Sequence, residues 1–386
     1  MRGSSPAEPD LDVAVVGGGP VGLYTAILLL RRGLRVRVFE QRTGRSAHSR
    51  AIGIHPPGLR ALAAAGVADR LSGEGMRIRR GQARFGGSLV AEVRFDSADP
   101  KYPFVLTLPQ VRTEQVLEER LAALDASALV RGAAVTGVRQ GPGSVTLDVA
   151  GPASDASVTA RLLVAADGAR SGVRGLLAVP RTGERVLDSY LMGDFADDTG
   201  DGPLGVLYLE PDGIVESFPL PGGTRRWVAH TGALRPLDDA ADLVREIRRR
   251  TGVKIDPDSN TMLSAFTVRT GRVRRMVHGR VLFLGDAAHE VSPIGGQGMT
   301  LGWMDAAAAV PLIVRSLRGD DVGASLLRFQ RRRRRDAVVA DAQARLNMAL
   351  GRPLPPAVMA ARNRAMGALL RSGPAADAVA RRFTMQ

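Results

Sequence analysis

The hydrophobic pattern is clearest over residues 11–40. Apolar residues dominate from position 11 to 16, which predicts a short buried strand. The glycine-rich turn GGGPVG follows, and residues 23–32 then read as an apolar helix with Gly33 as its C-terminal stop. Charged and apolar residues alternate over 35–39, as expected for a second strand. The segment therefore has the order strand, turn, helix, strand.

Further along the chain, helical and strand-like blocks alternate. The pattern predicts helices over 56–66, 113–124, 240–250 and 298–314, and at least two more after 325 that break near 351–356. Short strands are expected over 76–108, 128–166, 185–230 and 281–284. Two strand-rich blocks interrupt the first unit, so we expect domains that are discontinuous in sequence.

Composition narrows the class of protein. The 386 residues are 45% hydrophobic and 24% charged, which is ordinary for a globular protein and excludes disordered, collagen-like and coiled-coil chains. Cysteine is absent, so disulfides, thiolate metal sites and thiol nucleophiles are excluded. The apolar stretches 26–30 and 306–314 are shorter than the ~20 residues of a membrane span. The N-terminus is polar rather than secretory, so we expect a cytoplasmic protein.

The chain is strongly basic, with a net charge of +14. A basic face that binds nucleic acid is one interpretation. The other is an enzyme whose solvated arginines help to attract anionic cofactors. The second is favoured, because no nucleic-acid-binding motif accompanies the charge.

The turn after the first strand carries Gly17, Gly19 and Gly22 in the spacing G-x-G-x-x-G. Such glycines allow a tight turn, close approach of a pyrophosphate to the backbone, and close packing of helix on strand. Glu40 ends the second strand, where a carboxylate can accept hydrogen bonds from ribose hydroxyls. Together these features predict a dinucleotide site.

Two further motifs follow predicted strands. The first, DGARS, begins at Asp167 and Gly168. The second is GDAAH at 285–289, which continues through Pro293 into GGQGMT at 295–300 and a helix that contains Asp305.

With these three motifs in order, the chain resembles the FAD-dependent aromatic hydroxylases, the single-component flavoprotein monooxygenases of the para-hydroxybenzoate hydroxylase type. The resemblance covers roughly residues 10–330. It implies an α/β fold with a Rossmann-like FAD-binding domain, an inserted β-rich substrate domain and C-terminal helices. We assign 1–75, 109–181 and 271–320 to the FAD-binding domain, 76–108 and 182–270 to the substrate domain, and 321–386 to the helical region.

The resemblance also implies residue roles in FAD binding. The glycines Gly17, Gly19 and Gly22 hold the pyrophosphate and Glu40 the adenosine ribose. The other expected cofactor-binding residues are Arg50, Gln110, Asp167, Asp286, Gly298 and Met299. Backbone N–H groups at Gly298 and Met299 would lie beside the flavin and stabilise negative charge on it. Asp167 could equally brace Arg170 or Arg174.

No side chain is confidently assigned as catalytic. His289 is a weak candidate for a catalytic base, since a histidine beside a buried strand is more often structural. His230 and His278 have no companions at metal-ligand spacing, so we expect no metal site. The run 331–335 of five arginines is expected to form a solvated, ion-paired helix face rather than a ligand site.

The substrate is expected between the flavin and the strand block 185–230. Candidate substrate-binding residues are Tyr208, Phe218, Trp227, His230 and Pro293, although each aromatic residue could instead belong to the strand core.

The reaction implied by the resemblance is hydroxylation of an electron-rich, aromatic or polyketide-like small molecule. NAD(P)H would reduce FAD, and O2 would form a flavin hydroperoxide that donates oxygen to the substrate. Epoxidation and Baeyer–Villiger insertion stay open as alternatives. A flavin-dependent halogenase and a non-oxygenating flavin oxidoreductase are less favoured. The oligomeric state, monomer or homodimer, is left open.

Overall fold

A computed structural model describes residues 8–45, 51–151, 154–234 and 239–385. Three sheets and a set of helices make up these ranges. The strands are β1 (Leu11–Val16), β2 (Val36–Glu40), β3 (Gly53–Ile54), β4 (Met76–Ile78), β5 (Arg80–Phe85), β6 (Ser88–Arg94), β7 (Val105–Thr107), β8 (Leu129–Arg131), β9 (Ala134–Gln140), β10 (Val145–Ala150), β11 (Ala156–Ala165), β12 (Arg181–Ala196), β13 (Leu204–Tyr208), β14 (Val215–Leu220), β15 (Thr224–Thr231), β16 (Met262–Val273), β17 (Val277–His278), β18 (Val281–Phe283) and β19 (His289–Glu290).

The helices alternate with these strands and then take over at the C-terminal end. They are α1 (Pro20–Leu30), α2 (Pro56–Ala65), α3 (Ala68–Glu74), α4 (Gln110–Ala122), α5 (Gly172–Leu176), α6 (Ala240–Thr251), α7 (Gln297–Leu317), α8 (Gly323–Leu350), α9 (Pro356–Leu370) and α10 (Gly373–Phe383). Short 3-10 turns lie at Pro257–Ser259 and Gly285–Ala287.

The first sheet has a parallel centre. Its strand order is β17-β18-β11-β1-β2-β8, and β10 and β9 extend it through the N-terminal half of β11. β1 pairs in parallel with β11 on one side and with β2 on the other. Val13, Val15, Val38 and Val164 are fully buried, because helices cover a parallel sheet and leave neither face in water.

Three helices, α1, α2 and α7, pack together on this sheet. Tyr24 on α1 donates a hydrogen bond to the carbonyl of Ala61 on α2 over 2.9 Å. Trp303 on α7 is fully buried and donates through Nε1 to the carbonyl of Pro20 over 3.0 Å. The start of α1 is therefore fixed directly against α7.

The second sheet is mainly antiparallel, with the order β19-β16-β12-β15-β14-β13-β5-β6. One face packs on α6, where Trp227, Phe195 and Leu243 share a buried cluster. The other face carries a cluster that includes Tyr190, Val228 and, from α8, Met348. Both faces are buried, and successive residues of a strand belong to different clusters.

The α/β fold expected from the sequence is confirmed, with a Rossmann-like parallel core, a second sheet and C-terminal helices. A three-stranded sheet of order β3-β7-β4 adds to it. Strands of the second sheet come from 80–94, 181–231, 262–273 and 289–290, so they interleave with those of the first sheet along the chain. The exact domain boundaries stay a prediction.

Candidate active site

The three sequence motifs follow three strands that are neighbours in the first sheet. β18, β11 and β1 lie side by side and run parallel. Gly17 directly follows β1. Asp167 and Gly285 follow β11 and β18, each after one intervening residue. Loops at the carboxyl ends of parallel strands form the usual binding crevice of such sheets. The motifs therefore converge at one edge.

The glycine turn fits the roles expected of it. Gly17 has φ of +107°, and a Cβ there would lie 2.4 Å from the carbonyl oxygen of Ala166. A Cβ on Gly22 would lie 1.9 Å from the carbonyl oxygen of Gly17. A Cβ on Gly19 would meet nothing within 4 Å, so this position faces open space. No side chain caps α1, which leaves its first N–H groups available to a phosphate.

Glu40 braces the same turn. Its Oε2 accepts a hydrogen bond from the backbone N–H of Gly18 over 2.7 Å, and its Oε1 accepts from the Arg42 backbone and Nε, each over 2.9 Å. Burial opposes ionisation of this carboxyl, but the hydrogen bonds from Arg42 and Gly18 outweigh it and lower the pKa of Glu40. Glu40 is thus an ionised acceptor at the end of β2.

Asp286 and the start of α7 form the opposite wall. Asp286 is exposed, and a Cβ on Gly298 would lie 3.8 Å from its Oδ1. Although the residue is exposed in part, the protein packed around its carboxyl desolvates that group and raises the pKa of Asp286 to about 6. Gly296, the residue before α7, has no side chain to cap the helix. The first N–H groups of α7 therefore also lack a side-chain acceptor. Met299, the residue after Gly298, is buried.

His289 is a structural residue of this wall. Its Nε2 donates to Oδ2 of Asp305 over 2.6 Å, and Nε of Arg333 donates to Oδ1 over 2.6 Å. Asp305 also accepts from the backbone N–H of Gly285 over 3.2 Å. The three side chains are at least 95% buried, so His289 does not face an open site. Arg333 lies inside the protein, which corrects the expectation that the whole arginine run is a solvated face.

The DGARS motif links to the GDAAH motif through an arginine. Arg174 donates to the carbonyl of Ala287 over 3.0 Å and to that of Ala169 over 2.6 Å. Oδ2 of Asp167 accepts from the backbone N–H of Val173 over 3.1 Å. Asp167 thus binds the start of α5, and the bracing of Arg174 comes from two carbonyl groups.

Gln110 and Arg50 are the remaining expected cofactor residues. Gln110 is the first residue of α4 and donates to Oε1 of Glu114 over 2.8 Å. Arg50 lies outside the described residues. A Cβ on Gly53 would lie 3.5 Å from Cα of Gly296, so β3 contacts the loop before α7.

A cavity of about 280 Å³ lies between that loop and the second sheet. The loop residues 293–296, β3 and the inner face of the sheet form its walls, and α8, α9 and α10 complete the wall with Leu350, Met366 and Phe383. Most of the lining is apolar, as in typical ligand sites. The polar lining residues are Gln82, Thr107, Glu216, Arg226, His55 and Asn347.

The expected substrate residues divide between the two faces of the second sheet. Phe218 and Pro293 line the cavity. Tyr208 and Trp227 stack on each other at 5.9 Å within the cluster on α6, on the opposite face. His230 lies on the cavity side next to Tyr190, at 5.4 Å between ring centroids, but it is not part of the lining. Strand alternation explains this division, since 216, 218, 226, 228 and 230 share one face.

Several lining groups were not anticipated. Glu216 is buried in β14, and Nε and Nη2 of Arg226 donate to the two oxygens of Asp194 over 2.6 and 2.7 Å. His55 is buried at the start of α2, with Nε2 2.7 Å from the carbonyl oxygen of Gly295. A signal existed for Glu216, namely a lone carboxylate in the apolar strand VESFPL.

The structure accommodates FAD at the converging loops. Gly19 opens toward free space, two helices present uncapped N-termini, and Asp286 and Glu40 offer carboxylate oxygens for hydroxyl groups. Within the described ranges, no helix has the length and apolar character to cross a membrane. The same ranges hold no group of three or more His, Asp or Glu residues placed to bind a metal ion.

Comparison with known proteins agrees with this geometry. The family model for an FAD binding domain matches residues 10–343. Rifampicin monooxygenase from Streptomyces venezuelae is 35% identical over 304 residues, which cover 76% of this chain and 62% of the relative. The chain thus spans about three fifths of that relative's length.

Solved structures resemble the chain more completely. p-Nitrophenol 4-monooxygenase from Pseudomonas putida DLL-E4 superposes with a TM-score of 0.88 at 26% identity, covering 98% of this chain and 99% of that one. Aklavinone-11 hydroxylase, solved with FAD and aklavinone, gives a TM-score of 0.74 at 26% identity, covering 88% of this chain and 68% of that one. The chain therefore belongs to the FAD-binding family of the FAD-dependent aromatic monooxygenases.

Proposed function

We propose that the protein is an FAD-dependent monooxygenase that uses NAD(P)H and O2 to hydroxylate an electron-rich, mainly apolar aromatic or polyketide-like molecule. The observation that carries the proposal is the apolar cavity, which reaches from the loop at 293–296 to the second sheet. The same loop leads into α7, beside the three converging motifs. A site for FAD and a site for an apolar molecule thus share one wall.

FAD would supply hydride acceptance and oxygen activation when bound. We assign its pyrophosphate to the glycine turn and the first N–H groups of α1, and a ribityl hydroxyl to Asp286. Glu40 would accept from the ribose. The N-terminus of α7, including Gly298 and Met299, would stabilise negative charge through its N–H groups and dipole. Arg50, Gln110 and Asp167 complete the proposed set.

The chain's contribution to the substrate is positioning and exclusion of water. Phe218, Val228 and Ile294 give the cavity apolar walls, and the C-terminal helices cover it. A dry site protects reactive species from water and strengthens its electrostatic interactions. NAD(P)H is an intracellular reductant, so the proposal carries a cytoplasmic location with it.

The test is reconstitution with FAD followed by turnover under ¹⁸O2 with NADPH or NADH and a panel of phenols and polyketide aromatics. We expect substrate-dependent NAD(P)H oxidation and a product that contains one ¹⁸O atom. NAD(P)H oxidation with peroxide but no labelled product for every compound would instead indicate a non-oxygenating flavin oxidoreductase. A colourless protein that binds DNA in a salt-sensitive way would favour the nucleic-acid-binding alternative.

A further inference from the structure

Glu216 is an acidic side chain on the wall of an apolar cavity. It lies in the middle of β14, opposite Leu207 on β13 and Val228 on β15. Both cross-strand partners line the cavity, as does Glu216 itself, so the carboxyl lies on the cavity face. The residue is only 8% exposed.

Two other polar groups of this wall are engaged within the protein. Gln82 donates to Glu92 and accepts from Arg84, and Thr107 donates to the carbonyl of Pro219 over 2.6 Å. Glu216 differs from them. Among the described residues, no hydrogen bond or ion pair to its carboxyl is formed.

Burial without a partner favours the uncharged acid. Desolvation raises the pKa of Glu216 to about 7. A buried polar group without a hydrogen bond destabilises the protein, and a ligand that pairs with it recovers that cost. The acid can donate to a carbonyl or hydroxyl oxygen, and its ionised form can accept from a phenol.

Within the part of the chain that the structure describes, the arginine next to Glu216 is already paired. Arg226 on β15 is neutralised by Asp194 on β12 through two hydrogen bonds. On β12, Tyr190 also contributes a phenol, whose pKa is raised by burial and by Glu216 and Asp188.

Burial disfavours the charged form of the two nearby histidines. Burial lowers the pKa of His55 to about 4, against the opposing hydrogen bond to Gly295. Burial also lowers the pKa of His230, whose Nε2 lies 3.7 Å from Asp188. An aromatic carboxylate would therefore meet an acid and a neutralised arginine.

We propose that Glu216 is the specificity-determining residue of the cavity, which orients an uncharged aromatic molecule by hydrogen bonding to its hydroxyl or carbonyl oxygen and disfavours aromatic carboxylates. This inference rests on the proposed function, because it takes the cavity to be the substrate site. Beyond that function, it specifies that the substrate places a hydroxyl or carbonyl oxygen against Glu216 on β14.

The test compares binding of 2-naphthol and 2-naphthoate at pH 7 by calorimetry, using the FAD-reconstituted full chain. We expect wild type to prefer 2-naphthol by about tenfold or more, as buried hydrogen-bonding sites discriminate strongly. Glu216→Leu should weaken 2-naphthol binding by about tenfold, because the polar partner is lost. Glu216→Gln should stay within about threefold of wild type, because the amide still donates and accepts.

Glu210→Gln is the matched control. Glu210 is another buried carboxyl that follows β13, but it accepts from the Gly86 N–H over 3.0 Å and does not line the cavity. We expect its variant to bind 2-naphthol as wild type does. Circular dichroism verifies that each variant is folded, and Glu216→Gln serves as the test if the leucine variant is not.

Equal binding of 2-naphthol by wild type and Glu216→Leu would overturn the inference, as would a wild-type preference for 2-naphthoate. If the leucine variant does not fold, a loss of 2-naphthol affinity of about tenfold or more in Glu216→Gln would overturn it too, because the amide retains a donor and an acceptor. The proposed function fails separately, by absence of FAD binding and of ¹⁸O incorporation. Calorimetry does not depend on turnover, so the two failures are distinguishable.

Discussion

Nε2 of His289 donates a hydrogen bond to Oδ2 of Asp305 over 2.6 Å, in the interior between the GDAAH turn and α7. Burial opposes the charge on each group, but their mutual attraction raises the pKa of His289 and lowers that of Asp305. Arg333 from α8 binds the same carboxylate. The carboxylate of Asp305 on α7 thus joins this helix to α8 and to the turn that contains Asp286.

Asp305→Asn should destabilise the protein strongly. It leaves His289 buried without its anion and Arg333 with Asp336 as its remaining carboxylate, and breaking a buried ion pair costs about 3–5 kcal/mol. The turn that carries Asp286 should also loosen, so FAD affinity should fall. Urea unfolding and FAD titration measure the two effects.

Asp320→Asn is the control for that substitution. Asp320 pairs with Arg315 on the same helix end, but both side chains are 47% exposed. Such surface pairs contribute roughly 0–1 kcal/mol. Similar losses of unfolding free energy in the two variants would contradict the central role given to Asp305.

Two glycines of the first turn should separate folding from cofactor binding. Gly22→Ala places a Cβ 1.9 Å from the carbonyl oxygen of Gly17, so the apo protein should lose stability. Gly19→Ala places a Cβ in open space, so apo stability should change little. Its methyl group would nevertheless occupy the approach of the pyrophosphate, and FAD affinity should fall.

Thermal unfolding of the apo proteins and fluorescence titration with FAD give both quantities. Full FAD affinity in Gly19→Ala would show that this turn does not hold the pyrophosphate. A more drastic variant, Gly19→Glu, should abolish FAD binding through the added bulk and negative charge.

Phe218 and Trp227 should respond differently to truncation, because they lie on opposite faces of the second sheet. Trp227→Ala removes a fully buried side chain from the cluster on α6 and should cost about 3–5 kcal/mol of unfolding free energy. Phe218→Ala enlarges the cavity and should change 2-naphthol affinity at a smaller cost in stability. Calorimetry measures 2-naphthol affinity and urea unfolding measures stability in both variants. A larger loss of affinity in Trp227→Ala, with a larger loss of stability in Phe218→Ala, would contradict the assignment of the two faces.

Glu216 should make stability depend on pH. Its pKa is about 7 in the folded chain and 4.5 as the ordinary value, so the folded state holds the proton more tightly. Its contribution is fully present below pH 4.5 and is lost as pH rises through 7, by about 3 kcal/mol at most. Glu216→Gln should remove this part of the dependence.

The difference in unfolding free energy between Glu216→Gln and wild type, measured from pH 5 to pH 8, checks this sign. It should move in favour of the glutamine variant as pH rises. A constant difference would mean that the carboxyl titrates alike in the folded and unfolded chains.

Much of the first sheet could be predicted, because its signals are local. The run LDVAVV, the glycine spacing and Glu40 together indicate a strand, a glycine turn and a second strand, and the structure confirms this order of elements. The helix begins at Pro20 rather than at residue 23, since proline is favoured in the first helical turn. Convergence of the three motifs followed from parallel strands that end at one edge.

The second sheet was harder to interpret because both of its faces are buried. Apolar residues alone do not reveal which face meets a ligand, so Tyr208 and Trp227 could not be separated from Phe218 by residue type. In the same way, five identical residues in α8 conceal that Arg333 lies inward. Phe329, Ala337 and Ala340 share its helical face and could have indicated it.

The alternation along β14 has a consequence for how such a protein can diversify. Glu216 and Phe218 face the cavity, while Val215 and Ser217 face the layer under α6. Selection can therefore rewrite which molecules are accepted by exchanging every second residue, and leave the supporting layer untouched. A single strand would then evolve at two independent rates.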